Sequence, residues 1–404
     1  MYEKKENLGK NSEAIQMQNR VLVMKLLRDY QGLSRVKLAE LTGLKQATIT
    51  NIINSLLEKE YVLETGLMKG DNKRRVKRIV LNEEKFRVIV GRITDKYYAV
   101  GMYDIVGNCI NVEKTFWNNS DDFETRALEV KETFWRYMTN KKISEEVVGV
   151  GLVAQGNVVQ AVEHNSGFAK QGFEKYLHEF FSKELGTQVY VGNASNMSAY
   201  YEWQNLKSNF AEVQTLLCLM VGDSVDCSVL FEGKVVTNNN GRNAHFGHVS
   251  IDYNGPLCEC GNRGCIKNYI SVDAIKKRCM ELAEIYPMSK ISARSEIRDI
   301  IFAYYESDVL AVKLMDEVAE KLSVILANLI NQFSPDKIII GDELPNNSEF
   351  LKLVKSYTKK RVLPKRYDKV VIDVFKEERK TSQDVSLKGM AQFVINEKLS
   401  SMPL

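Results

Sequence analysis

The sequence predicts an α/β protein that opens with a winged helix-turn-helix. Two observations carry that prediction. Residues 16–82 set two short helical patterns around a glycine turn and follow them with a basic hairpin pattern. After Asn82, short apolar strand-like runs alternate with amphipathic stretches, the layout of an α/β body. A third observation, the spacing His248-x9-Cys258-x-Cys260-x4-Cys265, adds a metal loop to that body.

The bounds are those of a soluble chain. Its 404 residues suffice for two or three domains, with 44% hydrophobic and 27% charged content. No apolar run approaches the ~18 residues that span a bilayer. The polar start MYEKKENLGKNSEAIQ lacks the apolar core of a signal peptide. A cytoplasmic protein is expected. The net charge of +4 is unevenly spread: residues 1–85 carry 17 Lys+Arg against 11 Asp+Glu, and the rest 39 against 41. A basic head on a near-neutral body points to nucleic acid as the partner.

Residues 1–15 read as a disordered leader and 16–82 as the head. Over 16–30, Val21, Met24 and Leu27 share a helical stripe, and Gly32 ends it. Ser34 is a candidate N-cap for a helix to about Leu41, and Thr42-Gly43-Leu44 makes the turn. A second helix spans about Gln46–Lys59, with Ile49, Ile52, Ile53, Leu56 and Leu57 inward. Its outward residues Lys45, Gln46, Thr48, Thr50, Asn51 and Asn54 suit a recognition helix in the major groove of an operator. Asn and Gln can bond adenine edges, and Thr a base or a phosphate. The hairpin pattern at 61–82 carries Lys73, Arg74, Arg75, Lys77 and Arg78, five basic residues in six, suited to phosphates or the minor groove. A polar helix and a charge run are each often mere solvated faces; their succession here favours double-stranded DNA.

The cysteine cluster admits several readings. Free cysteines are commonly small buried hydrophobes, and disulfides suit secreted chains. Three of seven cysteines within eight residues, with one of four histidines ten residues upstream, instead suit one structural zinc per chain. Three thiolates and an imidazole would close a tetrahedron with no open position. Cys109, Cys218, Cys227 and Cys279 are scattered and read as structural.

In the body, Val88–Val90 with Tyr97–Met102 reads as a hairpin, Val147–Val153 and Val189–Val191 as strands, and 196–205 as a helix. Leu216–Val221 and Val229–Phe231 form a later hairpin, 310–333 a long helix, and Ile338–Ile340 a strand. The segment GHVSIDYNGPLCECGNRGCIKNYIS resembles the zinc loop of the ROK family of repressors, open reading frames and kinases. VYVGNASNMSAYYEW resembles the family's N-D-A-N-A-A-A-x-G-E run, and INQFSPDKIIIG its N-L-I-N-x-F-x-P-x-x-I-x-x-G run. The winged helix is similar to that of the family's repressors. The resemblance implies a two-lobed actin-like, sugar-kinase (ribonuclease H-like) body. Lobe 1 would cover 88–195 with the last helix at 385–399, and lobe 2 with the zinc loop 196–384.

The departures from the family pattern bear on function. The kinases' general base, the Asp of N-D-A-N, is Ala194 here, and a methyl accepts no proton. The D-x-G-G-T loop is Gly91-Arg92-Ile93-Thr94-Asp95, the glycine-rich loop is Gly222-Asp223-Ser224-Val225-Asp226, and the adenosine loop's G-G is Gly341-Asp342. Side chains thus stand where backbone should meet phosphate. Asn165 and Asn193 match family sugar contacts, while His245 and Lys267 replace the carboxylates of G-E-x-G-H and G-C-x-E. Such a pocket either takes a small sugar or an anionic sugar derivative, or binds nothing and persists as scaffold. The expectation is a non-enzymatic regulator of carbohydrate-related genes, a repressor acting as a homodimer or tetramer. The alternatives are a sugar kinase with a DNA-binding head, or a regulator governed by a protein partner.

Overall fold

The structure is a computed structural model that describes residues 12–69, 75–94, 96–117, 123–139, 146–154, 173–208, 213–236, 246–375 and 384–401. Lys73, Arg74, Asn165 and His245 lie outside them, as do residues 1–11 of the expected leader. The chain divides into two compact units. One comprises Met1–Met197 with Gln383–Leu404, the other Ser198–Ser382.

The first unit opens with α1 (Ser12–Asp29), so the leader expected at 1–15 is already helical from Ser12. Helix α2 (Arg35–Thr42) starts at Ser34, whose hydroxyl accepts from Lys37 N, and stops at Gly43 in left-handed conformation. Helix α3 (Gln46–Glu58) buries Ile49, Ile52, Ile53 and Leu56. Strands β1 (Val62–Lys69) and β2 (Arg75–Leu81) pair antiparallel as the wing, with a register irregularity between Thr65 and Leu67. Leu33 bridges to Ile79 and ties the α1–α2 connection to β2.

The lobe that follows is a five-stranded sheet in the order β5-β4-β3-β6-β7. Its strands are β3 (Phe86–Ile93), β4 (Tyr97–Asp104), β5 (Cys109–Phe116), β6 (Glu146–Ala154) and β7 (Val189–Asn193). The first three are antiparallel, and β6 and β7 add in parallel. On one face, α4 (Phe123–Met138) and α5 (Phe173–Leu185) pack Val130, Phe134, Leu177 and Phe181 against Ile89, Val100 and Leu152. The other face receives the last helix, here α13 (Val385–Ser401). It seats closely because β6 offers glycines: a Cβ on Gly149 would lie 2.4 Å from Val394, and one on Gly151 2.6 Å from Met390.

The head was expected as a domain apart, yet it shares one core with this lobe. Val23, Met24, Leu27, Ile53 and Ile79 belong to the same buried cluster as Phe86, Val88, Met390, Val394 and Leu399. Arg28 of α1 donates to Asn396 of α13, and the Tyr61 ring meets Phe86 edge-on at 4.9 Å. Contiguous apolar packing across the short polar turn Asn82–Lys85 makes the head a part of the lobe.

Helix α6 (Ala194–Ser208) carries the chain into the second unit. There the sheet order is β10-β9-β8-β11-β12. A hairpin of β8 (Thr215–Val221) and β9 (Val225–Phe231) carries the short β10 (Lys234–Val235), and β11 (Lys337–Asp342) and β12 (Val371–Val374) pair in parallel. Leu217, Leu219, Ile338 and Ile340 face a core completed by α8 (Val272–Ala283), α9 (Ile297–Tyr305) and the 25-residue α10 (Val309–Phe333). Between sheet and helices the chain makes the metal loop and the short α7 (Lys267–Ile270). Helices α11 (Ser348–Lys359) and α12 (Pro364–Tyr367) lead to β12. Among the described residues no helix is long and apolar enough to cross a membrane.

Candidate nucleic-acid interface and candidate metal centre

The helical repeat of α3 sorts its side chains. With its isoleucines inward, Gln46, Asn51 and Asn54 are exposed and Thr48 and Thr50 half-buried, while the exposed Lys45 sits at the N-cap. On β2, Arg75, Lys77 and Arg78 are exposed. Not all of them are unengaged. Arg78 donates to the Gln31 carbonyl, where α1 turns toward α2, and so staples the wing to the head. Lys77 pairs with Glu64, and Asn54 Oδ1 accepts from Arg35 Nη2 at 3.2 Å. Arg35 and Glu64 were missed in the sequence because neither lies in the basic run; the packing of α2 and the pairing of the hairpin bring them to this face.

The four expected metal ligands converge. His248, Cys258, Cys260 and Cys265 offer donor atoms within 4.8 Å of one another, and among the described residues they form the one such group. Cys260 Sγ lies 3.7 Å from Cys265 Sγ, and Cys258 Sγ 3.5 Å from His248 Nδ1. Tetrahedral zinc with Zn–S of about 2.3 Å and Zn–N of about 2.0 Å requires S···S edges near 3.8 Å and S···N edges near 3.5 Å. The donor set therefore fits the ion, and the sulfurs stand too far apart for disulfides. Burial pushes the Cys265 thiol up to about 12, whereas the Asn262 N–H, first among its donors, holds Cys260 below the ordinary thiol value. An ion here would take thiolates.

Local rules shape the loop. Cys258 N bonds Asn262 O at 2.8 Å and Gly261 N bonds Cys258 O at 2.9 Å, closing a tight turn over Cys258–Asn262. Gly264 has φ +64°, and a Cβ there would sit 1.7 Å from Asp252 O, so only glycine fits. Lys267 begins α7, and its ammonium lies 2.5 Å from Glu259, between two of the cysteines. Its charge is already partnered. The loop also walls a cavity of about 810 Å³ with α8 and α10, where Arg278 and Lys313 likewise pair with Glu317.

At two turns expected to be phosphate loops, described side chains bond within the turn. Thr94 Oγ1 accepts from Lys96 N and Tyr97 N and donates to Tyr97 O at 2.8 Å. Arg92 pairs with Asp384 at the start of α13. In the second unit, Gly222 N bonds Ser224 O at 2.9 Å and Ser224 Oγ bonds Asp226 at 2.7 Å. Gly341 is covered by Phe375, which a Cβ would meet at 2.0 Å. Asn193 ends β7, and its Oδ1 caps α6 by accepting from Ser195 N at 2.8 Å. Ala194 follows. The neighbouring Asn196 is 4% exposed, and its Oδ1 has no partner among the described residues. Asn193 and Lys267 belong to different units.

A family model described as the ROK family matches residues 132–397. The chain belongs to the ROK family. ROK relatives include the xylose repressor of Caldicellulosiruptor bescii, 24% identical and covering 96% of this chain and 98% of that protein. The DNA-binding transcriptional repressor Mlc of Escherichia coli is 23% identical over 86% of each chain. Among solved structures, a ROK family transcriptional regulator, a homologue of E. coli MLC, matches with TM-score 0.77 at 20% identity, covering 96% of this chain and 98% of that one. A ROK hexokinase from Thermus thermophilus matches with TM-score 0.59 at 16% identity, covering 77% of this chain and 98% of its own. These similarities establish the actin-like, sugar-kinase fold of the body.

Proposed function

We propose that this ROK protein is a DNA-binding transcriptional regulator, a repressor of carbohydrate-related genes. One observation carries the reading: a winged head with an outward polar helix and a basic strand shares its core with a body whose phosphate-loop turns are closed by their own side chains. Repressor relatives span nearly the whole chain, whereas the hexokinase covers 77% of it. With Ala194 in place of the base and Arg92 and Asp226 engaged internally, phosphoryl transfer lacks both its proton acceptor and its phosphate cradle. Zinc would hold the loop around Cys258 and add rigidity rather than chemistry.

The effector reading narrows. His245 and Lys267 were expected to favour anions; Lys267 is paired with Glu259, which weakens its share of that argument. The buried, unpartnered Asn196 Oδ1 instead favours a ligand with a hydroxyl or amide donor, because leaving such an oxygen unpaired costs about 1–3 kcal/mol. A small neutral sugar supplies such donors. Two copies of the chain would read a two-fold operator, one half-site each.

The test is binding of the full chain to promoter fragments of its own and neighbouring genes. Salt-dependent, site-specific binding that a sugar shifts is the expected outcome. Arg75→Ala should lower affinity about equally for all duplexes and flatten the log K against log salt slope by about 0.9. Absence of binding at low salt, or ATP consumption on addition of a hexose, would refute the assignment.

A further inference from the structure

A carboxylate sits in the middle of the basic face. Glu64 lies on β1, its side chain 20% exposed. Its Oε1 receives Arg35 Nη1 at 2.7 Å, and its Oε2 pairs with the Lys77 ammonium. Arg35 opens α2, and Lys77 lies across the hairpin on β2. The same guanidinium donates through Nη2 to Asn54, which projects from the exposed face of α3. The four side chains join α2, α3 and both strands of the wing on the face that carries the polar readers. The Lys77 ammonium, opposed by partial burial and assisted by the Arg35 guanidinium, holds the Glu64 carboxyl below the ordinary carboxylate value. Glu64 is thus charged at neutral pH.

We propose that Glu64 is a specificity-determining residue of the DNA-binding face: it stands in for a backbone phosphate and withholds Arg35 and Lys77 from sequence-independent attraction. The inference rests on the DNA-binding reading above. Two cations and one carboxylate present a net charge of one instead of two. Each phosphate neutralised steepens the salt dependence of binding by about 0.9 per decade. A random duplex, held by phosphates alone, feels the whole of that loss. A specific site recovers it through base contacts made by residues such as Asn51. What a regulator needs against a genome of competing sites is the ratio of the two affinities.

The experiment is fluorescence anisotropy of the full chain on a labelled mixed-sequence 30-base-pair duplex across a salt series. Glu64→Gln should bind roughly eightfold tighter at ~0.1 M salt, with a slope steeper by about 0.9, the worth of one extra phosphate. Glu64→Gln combined with Lys77→Gln should return the slope to that of the parent. Glu284→Gln makes the same charge change at an exposed position of the second unit and should leave both unaltered. Thermal melts establish that the variants are folded, with Glu64→Ala as a second test of the same position. Unchanged or weaker binding by folded Glu64 variants overturns the proposal, as does equal tightening by Glu284→Gln. A parent chain that fails to bind the duplex even at low salt overturns the DNA-binding reading instead.

Discussion

The His248–Cys265 loop and the Gly222–Asp226 turn lie in the same unit, yet they use their polar groups differently. The loop brings four donors within 4.8 Å of one another, two pairs of them at separations that suit a tetrahedral ion. In the turn, Ser224 and Asp226 bond each other. The loop gathers donors that an ion could join, and the turn satisfies its own side chains. The strands that flank the turn are paired in full register.

The largest expected effect tests the loop. Cys258→Ala or Cys260→Ala should reduce bound zinc from about one per chain to near zero and destabilise the second unit by several kcal/mol, read by metal analysis and thermal melts. Stoichiometric zinc in both variants would remove one side of the contrast.

Asp308 tests whether the same unit relies on satisfied polar hubs without a metal. Its carboxylate caps α10 and accepts from Leu310 N, Ala311 N, Ser289 Oγ and Lys290 N. Burial opposes the charge, but those bonds prevail and hold the carboxyl below its ordinary value. Asp308→Ala should cost about 2–3 kcal/mol at neutral pH and lower the melting temperature by about 5–10 °C. Because the folded value is the depressed one, this contribution is complete above the unfolded value of ~3.9. It fades as pH falls through the folded value, so the parent and variant melts should converge in acid.

The smallest expected effect is none at all, and it sharpens the contrast most. Ala194→Asp restores the missing carboxylate, yet ATP consumption with hexoses should stay at background because the phosphate turns remain closed. Measurable turnover by that variant would mean that the turns are still competent and that only the base was lost.

The His/Cys cluster was legible in the sequence, because ligand spacing within one loop is a local property. Helices α2 and α3 were equally legible, from Ser34, Gly43 and the isoleucine stripe. Long-range matters were not. Nothing in the run Lys73–Arg78 says that Lys77 meets Glu64 across a hairpin or that Arg78 folds back on Gln31. The partner of Lys267 was hidden for a similar reason: Glu259 is eight residues away along the chain, and the coiling of the loop brings it within reach. The shared core of head and lobe was also out of view, since Arg28 and Asn396 are separated by 368 positions.

That separation orders events in time. The head leaves a ribosome well before the helix that walls its core. Val394, Ile395 and Leu399 are fully buried in the cluster that also holds Met24 and Leu27. Until they arrive, the recognition helix stands on an unfinished foundation, with apolar surface open to water. A message truncated before residue 385 therefore yields a head without its full support.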